Sequence, residues 1–162
     1  MKKYALEIKW ALVFSALTLL WVFLEKSVGL HGPHIAKQPL YVYLFAPVAI
    51  VVYVLAIREK KFKTFSGRLT WKQGLVSGIY LSAFIAILNP LVQYLSFAVI
   101  SPEFLPNMIS YVTEKNLMTP PQAQMMYSLN TLYLQGAFSA LSMGIVTAAA
   151  VSYFVRTKPE SK

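Results

Sequence analysis

The feature of this sequence that most constrains its fold is a set of four long apolar runs that almost no charged residue interrupts. They cover residues 8–28, 40–57, 74–100 and 129–155. A helix needs roughly 20 apolar residues to cross the hydrocarbon core of a bilayer, and an isolated spanning segment satisfies its backbone polar groups only as a helix. The runs therefore predict an all-α fold, a transmembrane bundle of four helices that forms a single integral membrane domain over residues 1–162.

The composition fits a chain that uses lipid as its apolar solvent. Hydrophobic residues make up 57% of the sequence and charged residues only 13%, whereas a soluble domain has about 25% charged residues. There is no cysteine, which excludes disulfides, thiolate metal sites and cysteine nucleophiles. Lys2 and Lys3 precede the first run as in a signal peptide, but Glu25-Lys26 follows it instead of a small-residue cleavage site. We expect an uncleaved first span.

Basic residues predict the orientation of the bundle. Twelve of the fifteen Lys and Arg residues lie in the N-terminal segment, the second connection and the C-terminal segment. Because short cytoplasmic loops carry the excess of Lys and Arg, this distribution predicts that both termini and the second connection are cytoplasmic. We expect the membrane to be a bacterial-type inner membrane. The net charge of +9 then predicts anionic lipid headgroups at the cytoplasmic face, rather than nucleic acid, as the partners of the basic segments.

Two kinds of feature interrupt the simple pattern of four straight spans: prolines within spans and one long connection. Pro47 and Pro90 predict bends in the second and third spans. The third connection, residues 101–128, predicts one helix starting at Ser101-Pro102-Glu103 and another starting at Thr119. Apolar residues recur at helical spacing after the first start, so we expect an amphipathic helix on the outer membrane surface. Binding of a partner by this helix is the alternative.

Small residues recur every four positions in the third and fourth spans. The two ridges consist of Gly74, Gly78, Ser82 and Ala86 in one span and of Gly136, Ala140, Gly144 and Ala148 in the other. Steps of four keep residues on one helix face, and small side chains let two backbones approach closely. The pattern predicts that these spans pack against each other as an antiparallel pair. A homodimer, or contact with another membrane protein, through one ridge is the alternative.

Polar residues at a similar depth in the same two spans are the candidate binding site. Asn89 and Gln93 belong to the third span, and Gln135 and Ser139 belong to the fourth. If the ridges face each other, these side chains meet in the outer half of the bundle. They form either direct interhelical hydrogen bonds or a small polar pocket, bordered by Tyr94, Tyr133 and Glu25.

The titratable residues do not form a recognisable catalytic or metal motif. His31 and His34 lie in a His-Gly-Pro-His turn, which we expect to be a surface turn, because a stable metal site usually needs three or four ligands. Glu7 is expected to pair with Lys3. A lipid-modifying enzyme would need His31, Glu25 and another acid to converge. We therefore expect no metal, no cofactor and no enzymatic activity.

These features favour a non-enzymatic membrane protein that acts as an accessory or assembly subunit. The first alternative is a transporter-like protein that binds a small polar or amphipathic molecule at Asn89, Gln93, Gln135 and Ser139. The second is a membrane-embedded enzyme that modifies lipids.

Several segments resemble an uncharacterised bacterial family of small membrane proteins. They are the opening residues 1–10, Leu24-Glu25-Lys26 with Gly29-Leu30-His31, the segment from Gly67 to Gly74 with Ser77-Gly78, Asn89-Pro90-Leu91, and the closing run from Met143 to Thr147. The family is known as a domain of unknown function (four-one-nine-nine), and the resemblance covers essentially the whole chain. It implies four spans and brings no activity, cofactor or catalytic residue.

Overall fold

The computed structural model describes residues 4–157, and this part of the chain is all-α, as predicted. Its α-helices are α1 (Ala5–Ser27), α2 (Gln38–Tyr41), α3 (Phe45–Phe65), α4 (Trp71–Tyr94), α5 (Phe104–Glu114), α6 (Pro120–Met126) and α7 (Leu129–Val155). Short 3₁₀ turns flank α2, and a π-helical turn, Leu95–Ile100, continues α4. Within residues 4–157, four helical segments are long and apolar enough to cross a membrane: Ala5–Ser27, Ile35–Phe65, Trp71–Ile100 and Leu129–Val155.

The second span differs most from its predicted bounds. It continues eight residues past Ile57, because the charged residues that follow remain helical. Among them, Lys60 is buried against the bundle. Long basic side chains allow this, since their stems lie along apolar surface while their amines reach polar partners. The helix ends where Ser66 and Gly67 adopt left-handed backbone conformations, with φ of 49° and 84°, as is common at helix C-termini.

The two prolines occupy different positions in their helices. Pro47 lies in the first turn of α3, where its missing N–H group costs no hydrogen bond, and the 3₁₀ turn Val42–Leu44 precedes it. Pro90 lies inside α4, which gives way to the π-helical turn after Tyr94. The irregular backbone of the third span therefore follows Pro90 by about one turn.

The core of the bundle lies between α1, α3, α4 and α7, with α4 and α7 in the most extensive contact. Its buried residues include Tyr53, Ile57, Leu81, Ile85 and Ala148. The opposite faces of the helices expose large apolar side chains. Exposed apolar faces on four spanning helices are the surfaces that lipid covers in a membrane protein.

Two ends of the bundle can be distinguished by their contacts. At one end, which we call the basic end, Glu7 at the start of α1 pairs with Lys60 at a distance of 2.9 Å. The N–H of Thr157, just after α7, donates to the carbonyl of Leu69 at 2.8 Å. The start of α1, the second connection and the end of α7 thus lie together. The opposite end, the loop end, holds residues 28–44 and 101–128.

The apolar face of α5 packs against the protein itself, so the expectation that it lies on the membrane surface is wrong for this face. Phe104, Met108 and Val112 are buried in a cluster with Ile35 and with Ala123 of α6. The reason is that apolar partners come from the first connection, which is distant in the sequence, and from α6, which folds back on α5 after a short turn. The helix begins at Phe104, after Ser101-Pro102-Glu103, and α6 ends before α7 begins at Leu129.

Candidate functional site

The small-residue ridges of α4 and α7 face each other within one chain. Gly74 lies against Ser152, Gly78 against Ala148, and Gly144 against Ser82. A methyl group added at Gly78 would collide with the Cβ of Ala148, and one added at Gly74 would lie 2.6 Å from the Ser152 hydroxyl oxygen. The backbones of these two helices therefore approach as closely as they do because the ridge positions lack larger side chains.

A third helix joins this contact through a buried hydrogen bond. The hydroxyl groups of Tyr53 in α3 and Ser82 in α4 are 2.7 Å apart, and the Ser82 hydroxyl also donates to the carbonyl of Gly78 at 2.8 Å. The tyrosine oxygen also lies where a side chain on Gly144 would begin. This arrangement fixes α3 against the α4–α7 pair at a single point in the core.

Beside the pair lies a partly open cavity of about 400 Å³ that all four spans line. Its polar wall comes from uncharged side chains on all four of these helices, namely Ser15, Thr18, Tyr53, Asn89, Gln93, Ser139 and Thr147. Apolar residues such as Phe14, Phe45 and Val92 form the rest of the wall. We call this space the central cavity. A mostly apolar wall with a few polar groups is typical of sites for small organic molecules.

Three of the four residues predicted to form a binding site line the central cavity, and the fourth does not. Asn89, Gln93 and Ser139 lie in its wall. Gln135 is on an exposed part of α7 and does not line it, because one helical step from Gly136 turns its side chain about 100° away from α4. The side-chain amide of Asn89 donates to the carbonyl of Tyr133 at 3.2 Å.

Gly136 is what allows Asn89 to reach the backbone of α7. A Cβ atom at position 136 would lie 2.5 Å from the amide nitrogen of Asn89.

The polar residues that α1 contributes to the central cavity, Ser15 and Thr18, were not predicted from the sequence. Their spacing could have indicated them, since residues three apart share a helix face. Single hydroxyl groups in an apolar run, however, carry little information by themselves.

The loop end holds a buried chain of hydrogen bonds centred on His31. Its Nδ1 is 2.8 Å from the Ser101 hydroxyl oxygen, and its Nε2 is 3.3 Å from Oε2 of Glu25. The indole N–H of Trp21 donates to Oε1 of Glu25 at 2.9 Å, and the Asn107 amide donates to the carbonyl of His31 at 2.8 Å. These bonds connect α1, the first connection and α5.

The predicted surface turn at His31 and His34 is therefore only half correct. His34 is exposed, but His31 is 2% exposed and its ring packs on Phe104. Glu25 and His31 do converge, together with Ser101, which is fully buried. A serine, histidine and glutamate in one hydrogen-bonded row resembles a nucleophilic triad. A substrate cannot reach this one without opening of the loop end, because Ser101 has no exposed surface.

Lys26 connects the end of α1 to the start of α5 at the surface of the loop end. Its amine lies 3.1 Å from Glu103 and donates to the carbonyl of Ile100 at 2.6 Å. The pKa of Glu103 is below its usual range, first because its carboxylate accepts a hydrogen bond from its own backbone N–H and then because of Lys26. The contribution of this bridge to stability is therefore present at neutral pH and is lost as the pH falls through that lowered pKa.

The basic end buries a second charged group. Glu7 uses one carboxylate oxygen, Oε1, to accept hydrogen bonds from Lys60 at 2.9 Å and from the Ser77 hydroxyl at 2.8 Å. The predicted partner, Lys3, lies outside the described residues. Nearby, Lys9 and Trp10 of α1 both bond to Glu59 of α3. Charged side chains thus fasten the start of α1 to the end of α3.

Within residues 4–157, no group of three or more His, Asp or Glu side chains is arranged to hold a metal ion. The profile of one protein family matches residues 9–157, and its description reads "Protein of unknown function (DUF4199)". No curated protein and no solved structure gives a significant match to the chain.

Proposed function

Because the chain belongs to the DUF4199 family, whose description assigns no activity, we propose a function from its own cavity: the protein binds an uncharged amphipathic molecule among its four spans. The observation that supports this proposal is the central cavity, which brings Asn89, Gln93 and Ser139 to one wall. Asn89 joins α4 to α7 through the carbonyl of Tyr133, and the space beside it is nevertheless open to a ligand.

The lining of the central cavity indicates that its ligand is uncharged. Its polar groups are hydroxyls and amides, and no Asp, Glu, Lys, Arg or His among residues 4–157 lines it. A charged ligand would therefore lose its hydration without gaining a counter-charge, which is costly in a bilayer. A molecule with hydroxyl or amide groups at one end and a hydrocarbon chain at the other matches both parts of the wall.

We place this protein in a bacterial inner membrane with both termini in the cytoplasm, and we propose no enzymatic step. The distribution of Lys and Arg supports the orientation. The buried Glu25–His31–Ser101 row at the loop end supports a structural role for the titratable residues, since it lies apart from the residues that line the central cavity.

A photoreactive monoacylglycerol tests the proposal, because it carries a hydroxyl headgroup and one chain. We expect it to label α4 and α7 of the full chain in proteoliposomes. Gln93→Leu should reduce labelling about tenfold, the equivalent of one buried hydrogen bond. Gln135→Leu is the matched control, because it removes the same amide from the exposed part of α7. Equal labelling of both variants and of the unmodified chain would contradict the proposal.

An accessory or assembly subunit is the competing proposal. The ridge on α7 is covered by α4 in the same chain, so a partner would have to use another face. Single cysteines at Leu134, Phe138 and Leu141 probe the exposed face of α7 in this cysteine-free chain. Assembly would be favoured over ligand binding by two results together. Disulfide crosslinks would form between copies at these positions, and the monoacylglycerol would label Gln93→Leu, Gln135→Leu and the unmodified chain equally.

A further inference from the structure

A groove of about 270 Å³ lies between the last turns of α3 and the end of α7, at the basic end. We call it the α3–α7 groove. Apolar and basic residues line it, namely Val54, Phe62, Phe154 and Val155 together with Arg58 and Lys61. No Asp or Glu among residues 4–157 lines it. Unlike the central cavity, whose polar groups are uncharged, this groove therefore presents positive charge.

The basic residues near the end of α3 differ in how their charge is compensated. Lys60 and Lys63 each pair with a glutamate, at 2.9 and 2.8 Å. Arg58 is exposed and forms no ion pair within the described part of the chain. Lys61 donates to the carbonyl of Val155 at 2.9 Å, and a carbonyl carries no net charge. The two charges on α3 that no described acid neutralises are thus the two that line the groove.

Lys61 lies at the boundary between the two helices. Its amine bonds to Val155, the last residue of α7, and an ammonium group has three donors, so two remain for a ligand. The last carbonyls of α7 form the negative end of its dipole, which repels an anion, but the Lys61 amine covers one of them. Arg58 is three residues earlier on the same face of α3. An anion in the groove therefore meets two positive groups about one turn apart.

The groove changes from apolar to basic along α3. Val54 lies four residues before Arg58, on the same face and one turn further from the basic end. Phe62 and Phe154 are exposed, and exposed apolar side chains on a spanning bundle face lipid. The ends of spanning helices lie at the depth of lipid headgroups. This order of apolar and basic residues matches a molecule with a hydrocarbon chain and an anionic headgroup.

We propose that the α3–α7 groove binds a phospholipid with a net negative charge, such as phosphatidylglycerol. Its phosphate accepts hydrogen bonds from the Arg58 guanidinium, whose planar fork matches two phosphate oxygens, and from the Lys61 amine. An acyl chain packs on Val54 and Phe154. Basic pockets between spanning helices are typical sites for anionic headgroups. The groove shares no lining residue with the central cavity, so this site does not depend on the ligand proposed there.

Native mass spectrometry of the full chain in detergent tests the proposal with phosphatidylglycerol and phosphatidylethanolamine that share the same acyl chains. Both lipids carry the phosphate, but the ammonium group of phosphatidylethanolamine cancels its charge. We expect phosphatidylglycerol to bind about tenfold more tightly, because each of two exposed charge pairs contributes about threefold. Equal binding of the two lipids would overturn the proposal.

The soluble headgroup distinguishes a lipid from a free phosphate compound. Glycerophosphoglycerol has the headgroup of phosphatidylglycerol and lacks its acyl chains. We expect it not to displace bound phosphatidylglycerol at equal concentration, because it has no chain to pack on Val54 and Phe154. Displacement at equal concentration would overturn the assignment of the groove to a lipid.

Two arginine variants locate the headgroup. Arg58→Gln should weaken binding of phosphatidylglycerol about threefold and reduce its preference over phosphatidylethanolamine. Arg68→Gln is the matched control, because Arg68 is exposed, loses the same charge at the same end and does not line the groove. Equal affinities of the two variants would indicate attraction to the overall charge and would overturn the proposal. Combining Arg58→Gln with Lys61→Gln should abolish the preference between the two lipids.

Two phenylalanine variants locate the acyl chain. Phe154→Ala should weaken binding of phosphatidylglycerol about threefold, as expected for partial loss of an apolar contact. Phe138→Ala is its control, because both residues are exposed on α7 and only Phe154 lines the groove. Equal affinities of these two variants would contradict the placement of the chain.

The two proposed sites can be tested independently of each other. Gln93→Leu in the central cavity should leave binding of phosphatidylglycerol unchanged. Arg58→Gln should leave labelling by the photoreactive monoacylglycerol unchanged. A loss of both activities in either variant would mean that the groove and the central cavity are not separate sites, which would overturn the inference of a second site.

Discussion

Single buried polar residues at the loop end determine contacts between segments that are far apart in the sequence. His31 bonds to Glu25, six residues before it, and to Ser101, seventy residues after it. The chain reverses direction at Gly29, where φ is +81° and the carbonyl accepts a hydrogen bond from the N–H of His34 at 2.9 Å. The sequence places Glu25 and His31 at the same end of the bundle. It could not show that His31 points inward, because that depends on the path of this turn.

Replacing His31 with Ala should destabilise the protein by about 1–3 kcal/mol, since the buried Ser101 hydroxyl and the Glu25 carboxylate both lose a partner. Thermal unfolding in detergent, followed by circular dichroism, measures the effect. His34→Ala is the control in the same turn, because His34 is exposed and its removal should change the stability little. Equal unfolding temperatures for both variants would show that the buried row contributes no net stability.

Helices α4 and α7 show which parts of the fold can be predicted from one sequence. The apolar runs gave four spanning helices, since length and composition decide that question locally. The step-of-four ridges indicated two faces suited to close packing, and the structure places Gly78 opposite Ala148. The burial of the α5 face was not predictable, because Ile35 and Ala123 approach it only through the tertiary fold.

The central cavity was only partly predictable for the same reason. The amides of Asn89 and Gln93 are four residues apart and share a face, so their common exposure to one space follows from helix geometry. Which residues of α7 face them depends on the rotation of that helix. The ridge fixes this rotation through Gly136 and thereby turns Gln135 away.

Moving one methyl group across the interface of α4 and α7 tests how tightly this pair packs. Gly78→Ala should cost about 1–3 kcal/mol, because the new Cβ would overlap the Cβ of Ala148 and neither group can rotate away. Combining it with Ala148→Gly should restore most of the lost stability, as thermal unfolding of the three variants can show. Gly32→Ala is the control, since a Cβ there meets nothing within 4 Å. If the double variant is no more stable than Gly78→Ala, the two helices do not pack as described.

The whole molecule carries its charge asymmetrically, and the fold keeps that asymmetry. The start of α1, the segment from Arg58 to Lys72 and the end of α7 meet at one end. The Glu7–Lys60 pair and the hydrogen bond between Leu69 and Thr157 hold them there. Of the eleven basic residues between residues 4 and 157, eight belong to the three segments that meet at this end. In the orientation that we propose, attraction to anionic headgroups and the excess of basic residues in cytoplasmic loops would both favour this end at the cytoplasmic face.

The orientation of the molecule can be read from two cysteines in this cysteine-free chain. Ser66→Cys lies in the connection at the basic end, and Leu117→Cys lies in the exposed loop between α5 and α6 at the opposite end. We expect a membrane-impermeant maleimide to label position 117 in intact spheroplasts and to label position 66 only after permeabilisation. Labelling of position 66 in intact spheroplasts would reverse the orientation and place the basic end outside the cytoplasm. Labelling of both positions would mean that the chain inserts in two orientations, so that its fifteen basic residues do not decide its topology.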